Sequence, residues 1–176
     1  MKKISIIVSM ITLCIGFSTT ASAQATGSAT GSATIITPIS ILNAGDMNFG
    51  NFATTTAVGT VILAPAGSRT ITGGVTLPGT VGTVTAAKFT VSGQAYYTYA
   101  VTVPTGAYTL TKAAGTETMT VNAFTSTTLN NSGTAAGLLT LGVDTISVGA
   151  TLNVGTSQVA GAYTNATGFP VTVNYN

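Results

Sequence analysis

Between residues 145 and 154 the chain reads TISVGATLNV, and its two faces separate completely. Ile146, Val148, Ala150, Leu152 and Val154 fall on one side of an extended backbone, with Thr145, Ser147, Gly149, Thr151 and Asn153 on the other. Successive side chains of a strand point to opposite faces, whereas a surface helix needs apolar residues at i, i+3, i+4 and i+7. The stretch is therefore a half-buried β-strand.

The same two-residue period recurs along the chain. AAKFTVSG puts Ala87, Phe89 and Val91 on one face with Lys88 outward. AYYTYAVTV groups Tyr97, Tyr99, Val101 and Val103 and turns Tyr96 the other way. ETMTVNAF aligns Met119, Val121 and Ala123, and the polar TSTTLNNSG then separates it from LLTLGV. GTVILA leads into the turn PAGS, and RTITGGVTL is kinked at Gly73-Gly74. In ATIITPISIL, Pro38 suits an edge or a bulge, because proline cannot donate to a sheet ladder. No segment carries a helical apolar period. Threonine and valine favour strands, and the abundant glycine punctuates them. About nine short strands at spacings of ~8 to 12 residues predict an all-β, antiparallel β-sandwich. A closed barrel is the alternative, disfavoured by Pro38 and the glycine kinks.

The first 23 residues read as a signal peptide. Lys2 and Lys3 precede an apolar run from Ile4 to Phe17, and Ala21-Ser22-Ala23 forms the A-x-A cleavage site through Ala21 and Ala23. The run is too short to span a bilayer, which takes ~20 residues, so no membrane span is expected in the mature chain. Export to the periplasm, cell surface or extracellular space follows. The single cysteine, Cys14, lies inside this leader, so the mature domain is cysteine-free and lacks disulfides. What remains is Arg69, Lys88 and Lys112 against Asp46, Glu117 and Asp144, a net charge of zero with no basic cluster. Nucleic acid is thereby excluded as a partner. Residues 35–176 are long enough for a single domain.

Residues 24–34 read QATGSATGSAT, an Ala/Thr/Gly/Ser arm. Such a composition suits a flexible linker. If extended instead, Ala25, Gly27, Ala29, Gly31 and Ala33 share a face leading to Ile35, forming a thin strand that could serve as a donor arm. At the other end, GFPVTVNYN aligns Phe169, Val171, Val173 and Tyr175 in a final strand running to the end of the sequence. These four are the candidate assembly strand.

No catalytic site is legible. Histidine is absent, and with it the usual general base and the commonest metal ligand, so neither an enzyme nor a cofactor or metal is expected. Asp46, Glu117 and Asp144 are the only carboxylates for glycosidase-type chemistry, and as isolated acids they read as solubilising surface charges. Tyr96, Tyr108 and Tyr163 are candidate platforms for a surface glycan, the partner of a secreted binding module.

Taken in order, ITPISI, DMNFGNF, VILAPAGSRTITGGV, AAKFTVSG, ISVGATLNV and GAYTNATGFPVTVNYN resemble a bacterial family of exported domains of unknown function, related to fimbrial and spore-coat-like β-sandwich proteins. The resemblance spans nearly the whole mature chain and implies an immunoglobulin-like sandwich. It carries no established activity. The C-terminus is similar to that of fimbrial subunits, with Tyr175 penultimate and Gly161 or Gly168 upstream. That likeness implies an N-terminal arm that completes a neighbour's sheet, and hence self-association or an export chaperone as partner. The arm departs from the usual pattern in offering only Ala and Gly before Ile35, and the usual cysteine pair is missing.

Overall fold

The computed structural model describes residues 23–130 and 136–176. The proposed leader, with Ala21 and Cys14, lies outside the described residues except for Ala23. The chain divides into two units, one ending at Ile35 and one spanning Ile36–Asn176. In the first, residues 23–35 carry no strand and are exposed throughout.

The second unit contains, among its described residues, eleven strands and no helix: β1 (Ser40–Gly45), β2 (Ala53–Leu63), β3 (Arg69–Thr76), β4 (Ala87–Ser92), β5 (Thr98–Thr102), β6 (Tyr108–Lys112), β7 (Thr118–Thr128), β8 (Ala136–Leu138), β9 (Val143–Val154), β10 (Tyr163–Thr164) and β11 (Thr172–Tyr175). Every pairing is antiparallel. The excess over the nine expected lies in pieces such as β8 and β10, of three and two residues, too short to show any period.

The long strand β9 organises the larger, eight-stranded sheet. Its residues 143–148 pair with β4, residues 150–154 pair with β2, and β7 runs along its other side. Gly149 sits where β4 gives way to β2. A Cβ there would lie 2.2 Å from the Leu63 carbonyl, so only glycine lets the turn after β2 approach this closely. The predicted alternation holds: Ile146, Val148, Ala150, Leu152 and Val154 are all buried. β1 starts two residues after Pro38 and lies at the sheet edge, paired among the described residues only with β4. The Gly73-Gly74 kink is also present. The β2–β3 register skips between Thr54 and Gly59, and Gly73 takes φ +63° against the Val58 carbonyl.

β7 departs from the sequence reading. Ala123 is exposed with φ 49°, while Phe124 is buried, because the register against β9 shifts between Asn122 and Thr125. One extra residue in a strand reverses which parity faces the core. Met119 and Val121 point inward before the bulge, and Phe124, Ser126 and Thr128 after it. The polar stretch taken as a break thus continues the strand to Thr128.

The smaller sheet has the order β11-β5-β8. Its Tyr99 and Val101 share one core cluster with Val61, Val91, Val121 and Ile146 of the larger sheet.

Candidate functional site

The final strand is an edge strand that pairs with β5 in the register Thr172 to Thr102, Val173 to Val101, Asn174 to Ala100 and Tyr175 to Tyr99. Among the described residues its second edge carries no strand. Val171 is buried, and Phe169, Val173 and Tyr175 pack against the core, while Thr172 and Asn174 are exposed. Gly168, at φ +64°, turns the chain into this segment. The Asn165 side-chain oxygen fixes that turn by accepting from the Thr167 and Gly168 amides at 2.8 and 3.0 Å. Phe169 then joins the two sheets through ring contacts with Phe124 at 4.8 Å, and with Tyr108 and Phe89 at 6.4 Å each.

Tyr175 anchors the other end. Its hydroxyl accepts from the Gln94 amide at 2.6 Å and donates to the Thr37 carbonyl at 2.8 Å, so one side chain ties β11 to segments 81 and 138 residues away. The Tyr97 ring meets it edge-on at 5.7 Å. Gly93 makes room for the hydroxyl, since a Cβ there would stand 2.2 Å from it. The Asn176 amide extends the ladder to Thr98 O at 3.3 Å. A terminal strand frays unless something holds it, and this one is held at both ends.

Of the candidate donor arm, Ala25, Gly27, Ala29, Gly31, Ala33 and Ile35 are all exposed, and Ile35 is 98% exposed. Of the proposed cleavage pair, only Ala23 falls within the described residues, and it is exposed.

The three carboxylates do not come together: among the described residues no group of three His, Cys, Asp or Glu side chains is placed to share an ion. Asp46 accepts from Asn43 at 2.8 Å, and Glu117 pairs with Lys112 at 3.7 Å. Asp144 contradicts the reading of it as a surface charge. It is 2% exposed and accepts from the Tyr99 hydroxyl at 2.9 Å, the Asn130 amide at 3.1 Å and the Thr145 amide at 2.7 Å. A buried carboxylate without a cation persists only when donors surround it. Burial first, then the hydrogen bond to Asp144 and that group's negative charge, push the Tyr99 hydroxyl well above the ordinary tyrosine range. The signal was available in the sequence. Extended back from Ile146, the two-residue period places Asp144 on the apolar face of β9.

Of the tyrosines considered as platforms, Tyr96 is exposed at φ 66°, while Tyr108 and Tyr163 are half-buried. Tyr108 stacks edge-on against Phe124, and Tyr163 donates to the Val159 carbonyl, so both brace the fold.

These features define an all-β, antiparallel domain with a secured C-terminal edge strand. Residues 39–175 match the family described as a domain of unknown function, DUF4402, and the chain belongs to that family. No curated protein and no solved structure matches it. No helix among the described residues is long and apolar enough to cross a membrane.

Proposed function

We propose that this protein is exported from a bacterial cell and acts, without catalysis, as a structural subunit of a surface assembly, built as an immunoglobulin-like sandwich akin to fimbrial subunits. The observation that carries this reading is the pairing of opposites at the two ends of the chain. The C-terminal segment is locked into the core by Phe169, Val171, Val173 and Tyr175, yet among the described residues one edge of its strand carries no partner strand. The arm before Ile36 is exposed and ends in a fully exposed isoleucine. An open edge offers backbone donors and acceptors to an extended segment, and strand addition satisfies both partners with main-chain hydrogen bonds. The small residues of the arm let its backbone lie close to a neighbour, and Ile35 supplies the one large apolar contact. A synthetic peptide spanning residues 24–36, titrated into 15N-labelled protein lacking residues 24–32, shifts the amides of 172–175. Shifts absent there at saturating peptide refute strand addition at this edge.

A secreted glycan-binding module is the second reading, favoured by the adjacent tyrosines Tyr96 and Tyr97, 69% and 44% exposed. Exposed aromatic faces stack on sugar rings, and Tyr96→Ala would then abolish glycan retention while leaving oligomer size unchanged.

A further inference from the structure

We infer that the cleft between residues 46–54 and 158–169 is a binding site for an uncharged molecule with an apolar body. The cleft has a volume of about 1190 Å³, above the ~300–1,000 Å³ common for ligand sites. Met119, Val121 and Leu152 form its floor, and Phe52, Tyr108 and Phe169 stand in its walls. The inner face of the larger sheet borders the cleft here, and apart from β10 and the first residues of β2 the segments that cover it are irregular chain.

Both walls are fixed from behind. Asn48 and Thr85 exchange backbone hydrogen bonds at 2.8 and 3.0 Å, and the Arg69 guanidinium donates to the carbonyls of Phe49 and Asn51. Opposite, Gln158 donates to the Thr118 carbonyl at 3.3 Å and to the Tyr163 hydroxyl at 2.8 Å, while the Thr54 hydroxyl donates to the Gln158 carbonyl at 3.3 Å. The space is pre-formed, which lowers the ordering cost of binding.

The chemistry of the lining selects the ligand. Asn165 donates to the Thr109 carbonyl and accepts from its own turn, and the Gln158 oxygen accepts from the Gly155 amide. These amides are committed to holding the walls. Among the described residues Asp46 is the only charged residue in the lining, one oxygen of its carboxylate accepts from Asn43, and no cation lines the cleft to meet an anionic group. A charged ligand would lose hydration there without compensation. An uncharged aromatic or hydrocarbon body loses none and gains contact with rings and methionine.

Methionine also provides the readout. Of the four methionines, Met1 and Met10 lie in the leader, and the other two, Met47 and Met119, both line the cleft. The neutral dye N-phenyl-1-naphthylamine, titrated into the full chain carrying 13C-methyl methionine, gives saturable fluorescence enhancement at one site and shifts the Met47 and Met119 resonances together. Ala53→Trp and Ala162→Trp, each filling the mouth from one wall, weaken dye binding about tenfold or more with the melting temperature unchanged, and the sulfonated analogue binds about tenfold more weakly. If either variant fails to fold, the methionine shifts still decide. Enhancement without saturation, unmoved methionine methyls, or equal affinity for the sulfonated dye overturns the assignment. So does dye binding that appears only after residues 24–32 are deleted, since the cleft would then belong to a neighbour's arm. Dye binding to both forms leaves the assembly reading to its own test.

Discussion

Gly93 and Tyr175 form the tightest test of how the C-terminus is held. The backbone at Gly93 is not left-handed, so Gly93→Ala meets a steric obstacle alone: its methyl would fall 2.2 Å from the Tyr175 hydroxyl. Forcing an extra carbon into packed surroundings costs about 1–3 kcal/mol, offset by ~0.4–1 kcal/mol from the stiffer unfolded chain. Tyr175→Phe alone removes two hydrogen bonds, to Gln94 and Thr37, at about 0.5–1.5 kcal/mol each. In the double variant the obstructing oxygen is gone. The nearest atoms to the new methyl become Leu139 Cδ1 at 3.0 Å and Tyr175 Cζ at 3.2 Å. Gly93→Ala should therefore be much milder in the phenylalanine background, with a coupling of about 1–2 kcal/mol. Urea unfolding of the four proteins measures the cycle, and with a slope of ~2 kcal/mol/M that coupling moves a midpoint by about 0.5–1 M. Additivity within ~0.5 kcal/mol would show that the hydroxyl does not sit against Gly93, and the account of the secured terminus would fail.

Further outcomes follow from the same physics. Tyr99→Phe strips a donor from buried Asp144 and destabilises by about 1.5–3 kcal/mol in urea unfolding, while Asn130 and Thr145 still serve the other oxygen. The folded state also keeps the Tyr99 proton where the unfolded chain releases it, above about pH 10, so unfolding releases a proton and stability falls as pH rises from there toward the raised value. Comparing urea midpoints at about pH 8 and pH 11 should show a shallower alkaline decline for Tyr99→Phe than for the wild type. Ala123→Val places a branched residue at φ 49° and costs about 1–2 kcal/mol by thermal melting, whereas an unbulged β7 would gain from the added core methyls. Deleting residues 169–176 removes four side chains with an upper value of about 1.5–3 kcal/mol each, against a total of ~5–15 kcal/mol, and soluble protein should be lost in expression trials.

How far the sequence could be read is visible residue by residue. β9 is legible because its period runs unbroken, and Ile146 to Val154 alternate as read. The final strand is legible for the same reason over Thr172 to Tyr175, whereas Phe169 to Val171 lead into it without joining the ladder. β7 is misread because a bulge shifts the period by one at Ala123, and alanine gives no warning of a left-handed backbone where glycine would. Asp144 is misread because charge was given more weight than the alternation, although three donors gathered from Tyr99, Asn130 and Thr145 offset its burial. Two of those donors, Tyr99 and Asn130, lie 45 and 14 residues from Asp144, and no local pattern announces their convergence. The cleft escapes for a similar reason: its walls are mostly irregular segments, placed by Arg69, Gln158 and Asn165 through bonds to Phe49, Thr118 and Thr109, which lie 20, 40 and 56 residues away.

The proposal of assembly through the N-terminal arm rests most directly on the size of the protein in solution with and without residues 24–32. Light scattering across a concentration series should give concentration-dependent oligomers for the mature chain and a folded monomer for the deletion, with matching melting temperatures because the arm buries nothing within its own unit. Equal oligomer size in the two proteins would contradict strand donation by this segment and leave the glycan-binding reading in its place.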